Sequence, residues 1–183
     1  MKKLLIIFGT TFFLVIIFVF YFVLSSEWLG KWQLYENSRY QFSLEYPTNW
    51  GLGEQETNNA GREFLSPGVN TTCYAYGFAN ALMGKEGAPQ TLDEFIDWLI
   101  SSEAEGTEII EKSQPRLSGR EAVILRSSFE GGEKDAVYTL GKETGIGIYC
   151  VYSDAAQREK DKEIFDHMVE SMKINLNLDG SAD

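Results

Sequence analysis

The chain has 183 residues, enough for one domain and a terminal anchor, and its 44% hydrophobic and 14% aromatic content is that of a globular protein rather than a disordered one. Lys2 and Lys3 are the only charged residues before Glu27, so the rest of the chain carries 14 basic against 27 acidic residues, a net charge of −13. Such a surface disfavours nucleic acid and anionic lipid, and it suits basic proteins, cationic peptides or divalent ions, although solubility alone also accounts for it.

The N-terminal segment predicts a membrane anchor. Residues 4–24 are uncharged and mostly apolar, and at about 1.5 Å per residue they span the roughly 30 Å of a bilayer core. Lys2 and Lys3 favour a cytoplasmic N-terminus, which puts the domain on the extracytoplasmic side of the cytoplasmic membrane as a single-pass protein. A cleaved signal peptide is the alternative, because Val23 and Ser25 could precede a cut, but its apolar core is usually only about 7–15 residues long.

After the anchor, the pattern predicts alternating strands. Residues 40–46 alternate apolar and polar, which indicates a strand with one buried face that ends at Pro47. A stretch rich in Gly, Asn and Glu follows and shows no regular pattern. Residues 73–79 then alternate again, with aromatic side chains on one face and small ones on the other, so we expect another layer to pack closely on the small face.

The C-terminal half predicts two helices and a group of strands. Thr91 with Glu94, and Asp154 with Gln157, form capping boxes that open amphipathic helices. Between the helices we expect an edge strand at 108–113 and a meander of strands at 121–129, 136–140 and 145–152, of which the first is central; residues 172–176 could return to the sheet. The fold class is therefore α+β, an antiparallel sheet of about six strands covered by helices. The predicted division is a cytoplasmic tip at 1–3, an anchor at 4–24, a linker at 25–38, a domain at 39–178 and a tail at 179–183.

One motif is similar to a known family. The opening F-x-x-x-YP-x-x-W of PsbP-like domains resembles the pattern formed here by Tyr40, Phe42, Tyr46, Pro47 and Trp50. This family includes the extrinsic protein P of photosystem II, a yeast Ran-binding protein and many exported bacterial proteins.

The resemblance covers roughly residues 38–176, since the segments at 92–99 and 164–174 look like the family's first covering helix and its closing helix with last strand. It implies a sheet between helices and a role in binding other proteins rather than in catalysis. No photosystem-specific signature is seen, so the photosynthetic role does not carry over.

Two cysteines, Cys73 and Cys150, lie within predicted strands and not in a CxxC pair. In an oxidising compartment they could form a disulfide, which would stabilise the fold by up to about 4–5 kcal/mol in the chain-entropy model. The alternative is two buried thiols that pack as small apolar groups.

No catalytic, cofactor or metal site is predicted. His167 is the only histidine, and its helical position puts it in solvent beside Glu163 and Glu170, without the cleft and partner that a general base needs. The acids at 159–166 alternate with basic residues, so we interpret them as a solvated helix face and not a calcium site. Gly145-x-Gly147 lacks the third glycine of a dinucleotide site and is expected to make room for a neighbouring aromatic residue.

The aromatic face formed by Tyr74, Tyr76 and Phe78 is the remaining candidate. It is core if a helix covers it, and a binding surface if it is left open. The leading hypothesis is a non-catalytic, membrane-anchored binding or scaffold module of the cell envelope, whose partner is another envelope protein and not nucleic acid; its oligomeric state is left open. The alternatives are a small-ligand carrier with an apolar cavity under the first helix, and a hydrolase that uses two carboxylates.

Overall fold

The computed structural model describes residues 31–56, 60–79, 89–102, 106–141 and 144–175. The predicted anchor at 4–24 and tail at 179–183 lie outside the described residues. Within the described ranges, none of the helices has the length and apolar character needed to cross a bilayer.

The described residues form eleven strands and two helices. In chain order these are β1 (Trp32–Asn37), β2 (Phe42–Pro47), β3 (Gly51–Gln55), β4 (Gly61–Leu65), β5 (Thr71–Ala79), α1 (Leu92–Ser102), β6 (Glu108–Ser113), β7 (Arg116–Leu117), β8 (Arg120–Phe129), β9 (Gly132–Leu140), β10 (Thr144–Tyr152), α2 (Ala155–Glu170) and β11 (Lys173–Ile174). The predicted α+β class, with antiparallel pairing and two amphipathic helices, is confirmed.

The strands belong to two sheets. The smaller has the order β1-β2-β11, and the larger has the order β3-β4-β5-β10-β9-β8-β6, with β7 paired to β8. The predicted meander is β8-β9-β10, β6 is at an edge as expected, and the return strand is β11, which joins the smaller sheet through β2.

The prediction of about six strands was too low, because it left out β1, β3, β4 and the two-residue β7. The segment 25–38, predicted as a linker, contains β1, which pairs with β2 from Trp32 opposite Pro47 to Asn37 opposite Phe42. The stretch predicted as irregular contains β3 and β4. Because β3 is exposed or half-exposed along its whole length, it has no apolar alternation from which to predict it.

The larger sheet is buried on both faces at its centre. On one face, small and apolar residues of β5, β8, β9 and β10 pack against β2 and helix α2 in one core; on the other, residues of β8 and β9 pack against helix α1 in a second core. The alternation of side chains along each strand explains this division, since neighbours such as Val137 and Tyr138 enter opposite cores.

Both helices begin with the predicted N-cap residue, Thr91 in the first and Asp154 in the second. The Oγ1 of Thr91 accepts a hydrogen bond from the backbone N–H of Glu94 at 3.2 Å, and the Glu94 carboxylate accepts from the backbone N–H of Gln90 at 2.6 Å. At the second helix, Oδ1 of Asp154 accepts from the backbone N–H of Gln157 at 2.8 Å. The bonds from Glu94 N–H and Gln157 N–H satisfy groups that the first turn of a helix leaves without partners.

Glycines allow aromatic rings to approach the larger sheet. A Cβ at Gly77 would overlap the ring of Tyr40 in the opposing layer, and a Cβ at Gly145 would overlap the ring of Phe78. The two expectations, a close layer on the small face of β5 and aromatic neighbours at the glycines of β10, are therefore confirmed.

Candidate functional site

The five residues of the fold motif lie where the two sheets and helix α2 meet. Tyr40, Phe42, Tyr46 and Trp50 are buried in the core between the sheets. Pro47 ends β2, and its carbonyl accepts a hydrogen bond at 3.1 Å from the backbone N–H of Trp50. The motif thus closes the turn between β2 and β3 and places the indole of Trp50 in the core.

The two cysteines lie directly opposite each other on β5 and β10. Their Cα atoms are 4.0 Å apart, and their sulfur atoms are bonded in the structure. Both residues are fully buried in the core beneath α2. The bond joins two neighbouring strands at the centre of the larger sheet.

The aromatic face of β5 divides into two parts. Phe78 stacks on Phe95 of helix α1, with ring centroids 5.3 Å apart and an interplanar angle of 16°. Tyr74 and Tyr76 remain half-exposed and cluster with Tyr149 of β10, with centroid separations of 5.5 to 6.1 Å. We call Tyr74, Tyr76 and Tyr149 the tyrosine face. Helix α1 therefore packs on one end of the predicted face and leaves the other partly open.

Carboxylates surround one end of the tyrosine face. A cavity of about 360 Å³ is lined by Tyr74 together with Glu54, Gln55, Glu56 and Glu63. Burial raises the pKa of Tyr74, and the neighbouring carboxylate of Glu56 raises it further. Burial, Glu56 and Glu63 likewise raise the pKa of Tyr149. The phenols stay protonated at neutral pH, and the negative charge beside them favours a cationic group.

A second candidate site lies along helix α2. A cavity of about 530 Å³ opens between the helix and the turn after β2. Its lining combines the Pro47–Trp50 turn, the loop between β4 and β5, and one side of α2: Lys31, Pro47, Thr48, Asn49, Trp50, Ser66, Pro67, Asn70, Gln157, Lys160, Asp161 and Ile164.

Asp161, predicted to lie on a solvated helix face, lines this cavity and is only 8% exposed. Its Oδ2 accepts hydrogen bonds from Oγ1 of Thr71 and from Nε2 of Gln157, each at 2.7 Å. The prediction was wrong at this position. Alternating acidic and basic residues are typical of an exposed helix face, and this pattern does not indicate that Asp161 faces the strands.

His167 was predicted to lie in solvent, but in the structure its ring contacts two other side chains. Its ring stacks on Trp32 with centroids 3.7 Å apart and an interplanar angle of 17°, and its Nε2 lies 3.0 Å from Oε2 of Glu45. A cavity of about 340 Å³ beside this stack shares Lys31, Lys160 and Ile164 with the larger one. We call the two adjoining cavities the α2 groove. Trp32 was missed because it falls in the segment predicted as a linker.

A buried ion pair fixes helix α2 on the larger sheet. Nε of Arg158 lies 3.0 and 2.9 Å from the two carboxylate oxygens of Asp135 on β9. Glu133 is 3.7 Å from the same nitrogen. Burial first, and the neighbouring Asp135 second, raise the pKa of Tyr152 beneath this pair. The groove is therefore built on a helix with a fixed orientation.

No group of three or more His, Cys, Asp or Glu side chains that could hold a metal ion is found among the residues that the structure describes.

Comparison of the structure with solved proteins shows the fold. Cyanobacterial PsbP (CyanoP) from Synechocystis sp. PCC 6803 is similar with a TM-score of 0.56 and 13% identity over 79% of this chain and 93% of that one. This chain has the PsbP-like fold. The predicted resemblance is thereby confirmed.

A protein from Bacteroides thetaiotaomicron VPI-5482 has a TM-score of 0.50 and 11% identity over 81% of this chain and 49% of that one. LpqN, involved in cell envelope biogenesis of Mycobacterium tuberculosis, is a looser match, with a TM-score of 0.44 and 14% identity over 73% of this chain and 82% of that one. No protein-family model and no curated protein sequence matches the chain.

Proposed function

We propose that this chain is a non-catalytic binding module of the cell envelope, anchored in the cytoplasmic membrane through residues 4–24 and exposed on the extracytoplasmic side. The tyrosine face with its acidic rim is the observation that carries the binding role. Tyrosine is enriched at the energetic centres of protein interfaces, since it combines a large apolar ring with a hydroxyl. Here three tyrosines from two strands form one partly open cluster.

The charge at this face selects the class of partner. Glu54, Glu56 and Glu63 line the cavity beside Tyr74, and the chain carries a formal net charge of −11. A basic segment of another envelope protein is complementary to it, because lysine or arginine can lie over a tyrosine ring while pairing with a rim carboxylate.

Crosslinking in intact membranes tests the binding role. The wild-type chain should capture a discrete envelope partner, and the double variant Tyr74→Ala/Tyr149→Ala should lose it. Leu34→Ala is the matched control, because Leu34 is 60% exposed on β1 of the smaller sheet and its loss should leave capture unchanged. Capture of no protein at several crosslinker lengths, or equal capture by the double variant, would contradict the proposal.

The anchor is tested separately. The intact mass of the protein isolated from the membrane fraction should correspond to the full chain of 183 residues. A mature chain that begins near Ser26 would show cleavage and remove the anchor from the proposal.

A further inference from the structure

One corner of the domain carries no charge. It consists of two segments, residues 46–53 around the turn between β2 and β3, and residues 64–72 around the turn between β4 and β5. Neither segment contains an acidic residue, a basic residue or a histidine, although 23% of the chain is charged. The segments are neighbours, because Gly51 lies opposite Leu65 in the pair β3–β4 and both turns line the larger cavity of the α2 groove. We call these two segments the uncharged corner.

Two apolar side chains are exposed at the uncharged corner. Leu52 is 45% exposed and Val69 is 64% exposed. Val69 follows Gly68 in the turn between β4 and β5, which is closed by a hydrogen bond of 2.9 Å from the backbone N–H of Val69 to the carbonyl of Ser66. An uncharged turn that presents valine to the outside is suited to contact with an apolar or interfacial surface.

The backbone of Val69 is strained. Its φ is 58°, in the left-handed region, which a β-branched residue seldom adopts and which glycine or asparagine adopts at lower cost. Core packing does not account for this strain, since the side chain is exposed. An unfavourable conformation that the core does not require points to a function of the side chain.

The uncharged corner adjoins the point where the chain leads to the predicted anchor. The carbonyl of Lys31, just before β1, accepts a hydrogen bond of 3.0 Å from the backbone N–H of Thr48 in the corner. Seven Cα steps separate Lys31 from Leu24, the last residue of the predicted anchor, and in any conformation they span at most about 25 Å. A bilayer that holds the anchor therefore lies within reach of this corner.

The surroundings of the corner are acidic. The cavities of the α2 groove are lined by more acidic than basic side chains: Asp161, Glu163, Asp166 and Glu170 against Lys31 and Lys160. On the other side of the corner, Tyr152 lies opposite both Thr71 and Glu133, so a further carboxylate follows at the same end of the sheet. Carboxylates favour water over a bilayer surface, so contact with lipid is confined to the two uncharged turns.

We propose that the uncharged corner contacts the outer surface of the membrane that holds the anchor, with Val69 and Leu52 in the headgroup region. Apolar side chains gain by leaving water for this interface. The inference rests on the proposed anchor, which supplies the attachment, whereas the corner sets the orientation of the domain. Strand β5 leads away from the corner, so Tyr74 and Tyr76 lie roughly 10–17 Å from Thr71 at about 3.4 Å per residue. The tyrosine face is thereby held beside the membrane, near the membrane-proximal segments of other envelope proteins.

Fluorescence of the full chain in phosphatidylcholine vesicles tests this orientation. Both native cysteines are in the disulfide, so a polarity-sensitive dye can be attached through Val69→Cys or Leu52→Cys. Ile110→Cys is the matched control, because Ile110 is 47% exposed on β6 at an edge of the larger sheet. At positions 69 and 52 we expect emission shifted to the blue and a loss of intensity with lipid that carries a nitroxide near its headgroup. At position 110 we expect neither change.

A charge in the corner provides a second test. Val69→Asp, introduced into the chain labelled at position 52, should reduce quenching there, because a carboxylate opposes entry into the interface. Ile110→Asp in the same labelled chain adds the same charge elsewhere and should leave the quenching unchanged. Equal quenching in the chains with Val69→Asp and Ile110→Asp would contradict the proposed contact.

Flotation of the same vesicles separates failure of the anchor from failure of this inference. A chain that does not float with the lipid would overturn the anchor and, with it, the proposed contact. A chain that floats but shows no quenching at position 69 would overturn the contact and leave the anchor in place. A blue shift without quenching would also overturn it, since the corner would then be covered by protein, either another chain or a second copy.

Discussion

At the scale of single residues, Gly77 determines how closely the two sheets approach. The ring of Tyr40 occupies the space that a Cβ at this position would need, and both residues are buried. Gly77→Ala should therefore lower the free energy of unfolding by about 1–3 kcal/mol, the usual cost of overpacking. Urea denaturation followed by tryptophan fluorescence measures the change.

Gly51→Ala is the matched control for this prediction. Gly51 also lies in a strand, but a Cβ there would have no heavy atom within 4 Å. We expect its stability to equal that of the wild type or to rise slightly, since alanine reduces the entropy of the unfolded chain. If both alanine variants lost the same amount, the contact with Tyr40 would not be the cause.

Asp166 makes the stability depend on pH. Burial, followed by the neighbouring carboxylates of Asp135 and Glu170, raises its pKa above the ordinary value of 3.8. The folded state thus holds this proton more tightly than the unfolded chain, so the group favours folding only at low pH and loses that contribution as pH rises through the raised pKa. Asp166→Asn should be more stable than the wild type at pH 7, by a few tenths of a kcal/mol because solvent screens the site.

The pH profile separates this effect from a general change. Well below pH 3.8, the ordinary pKa of an aspartate, Asp166 is protonated in both the folded and the unfolded wild type. The difference in stability between the wild type and Asp166→Asn should then disappear. Glu163→Gln removes an exposed carboxylate from the same helix and controls for the loss of one negative charge. A difference that stayed constant from pH 3 to pH 7 would contradict the prediction.

Side-chain partners across elements are the part of the site that sequence patterns do not predict. The alternation in β5 predicted a close layer on its small face, since this depends only on the strand itself. The positions of Asp161 and His167 depend on Thr71, Glu45 and Trp32, which belong to other elements. A helical period places a residue relative to its own helix, and it contains no information about a polar partner that a distant strand supplies.

At the scale of elements, the position of helix α2 depends on the pair Arg158–Asp135. Both side chains are largely buried, and the guanidinium Nε contacts both carboxylate oxygens. Arg158→Ala leaves a buried carboxylate without its partner, so we expect a loss of about 3 kcal/mol of unfolding free energy. Thermal and urea unfolding both measure it.

The control for this prediction is an exposed pair on the same helix. Lys162 lies 2.8 Å from Glu159, and the pair is half-exposed at Lys162 and exposed at Glu159, so Lys162→Ala should change stability by less than about 0.5 kcal/mol. Arg158→Met, which keeps the apolar stem, should lose less than Arg158→Ala if packing contributes. A loss in Arg158→Ala as small as that in Lys162→Ala would show that the pair does not hold the helix.

The buried strands were predicted from the sequence, and the exposed edge strands were not. Strands β5, β8, β9 and β10 are buried on at least one face, and each showed the alternation or apolar run that burial imposes. Strand β1 has Leu34 pointing into solvent, and β3 is exposed or half-exposed throughout. Such edge strands are held mainly by backbone hydrogen bonds to a neighbour, which any residue except proline can make, so their side chains carry little pattern.

At the scale of the whole molecule, two cores on either side of one sheet hold the fold together. The family motif near residue 40 predicted the PsbP-like fold because its residues belong to the core that joins the sheets. The second core, under α1, followed from the amphipathic helix at 92–100. The division into two sheets was not predicted, because β1 lies in the segment interpreted as a linker and the other neighbour of β2 is β11, from the far end of the domain.

The disulfide between Cys73 and Cys150 links the two central strands of the larger sheet over a sequence separation of 77. In the chain-entropy model such a crosslink acts mainly on the unfolded chain, whose freedom it restricts. Cys73→Ala/Cys150→Ala should therefore keep the native fold and lose about 2–4 kcal/mol of unfolding free energy. Alanine is preferred to serine because both positions are fully buried, and a hydroxyl there would add its own cost.

Urea unfolding with and without a reductant measures this contribution. The reductant should lower the midpoint of the wild type, once unfolding exposes the bond, and should leave the midpoint of the double alanine variant unchanged. The reduced wild type and the variant should then agree within the small difference caused by two buried thiols. An unchanged wild-type midpoint under reductant would mean that the crosslink adds nothing to the pairing of β5 with β10, and that their backbone ladder and the surrounding core suffice.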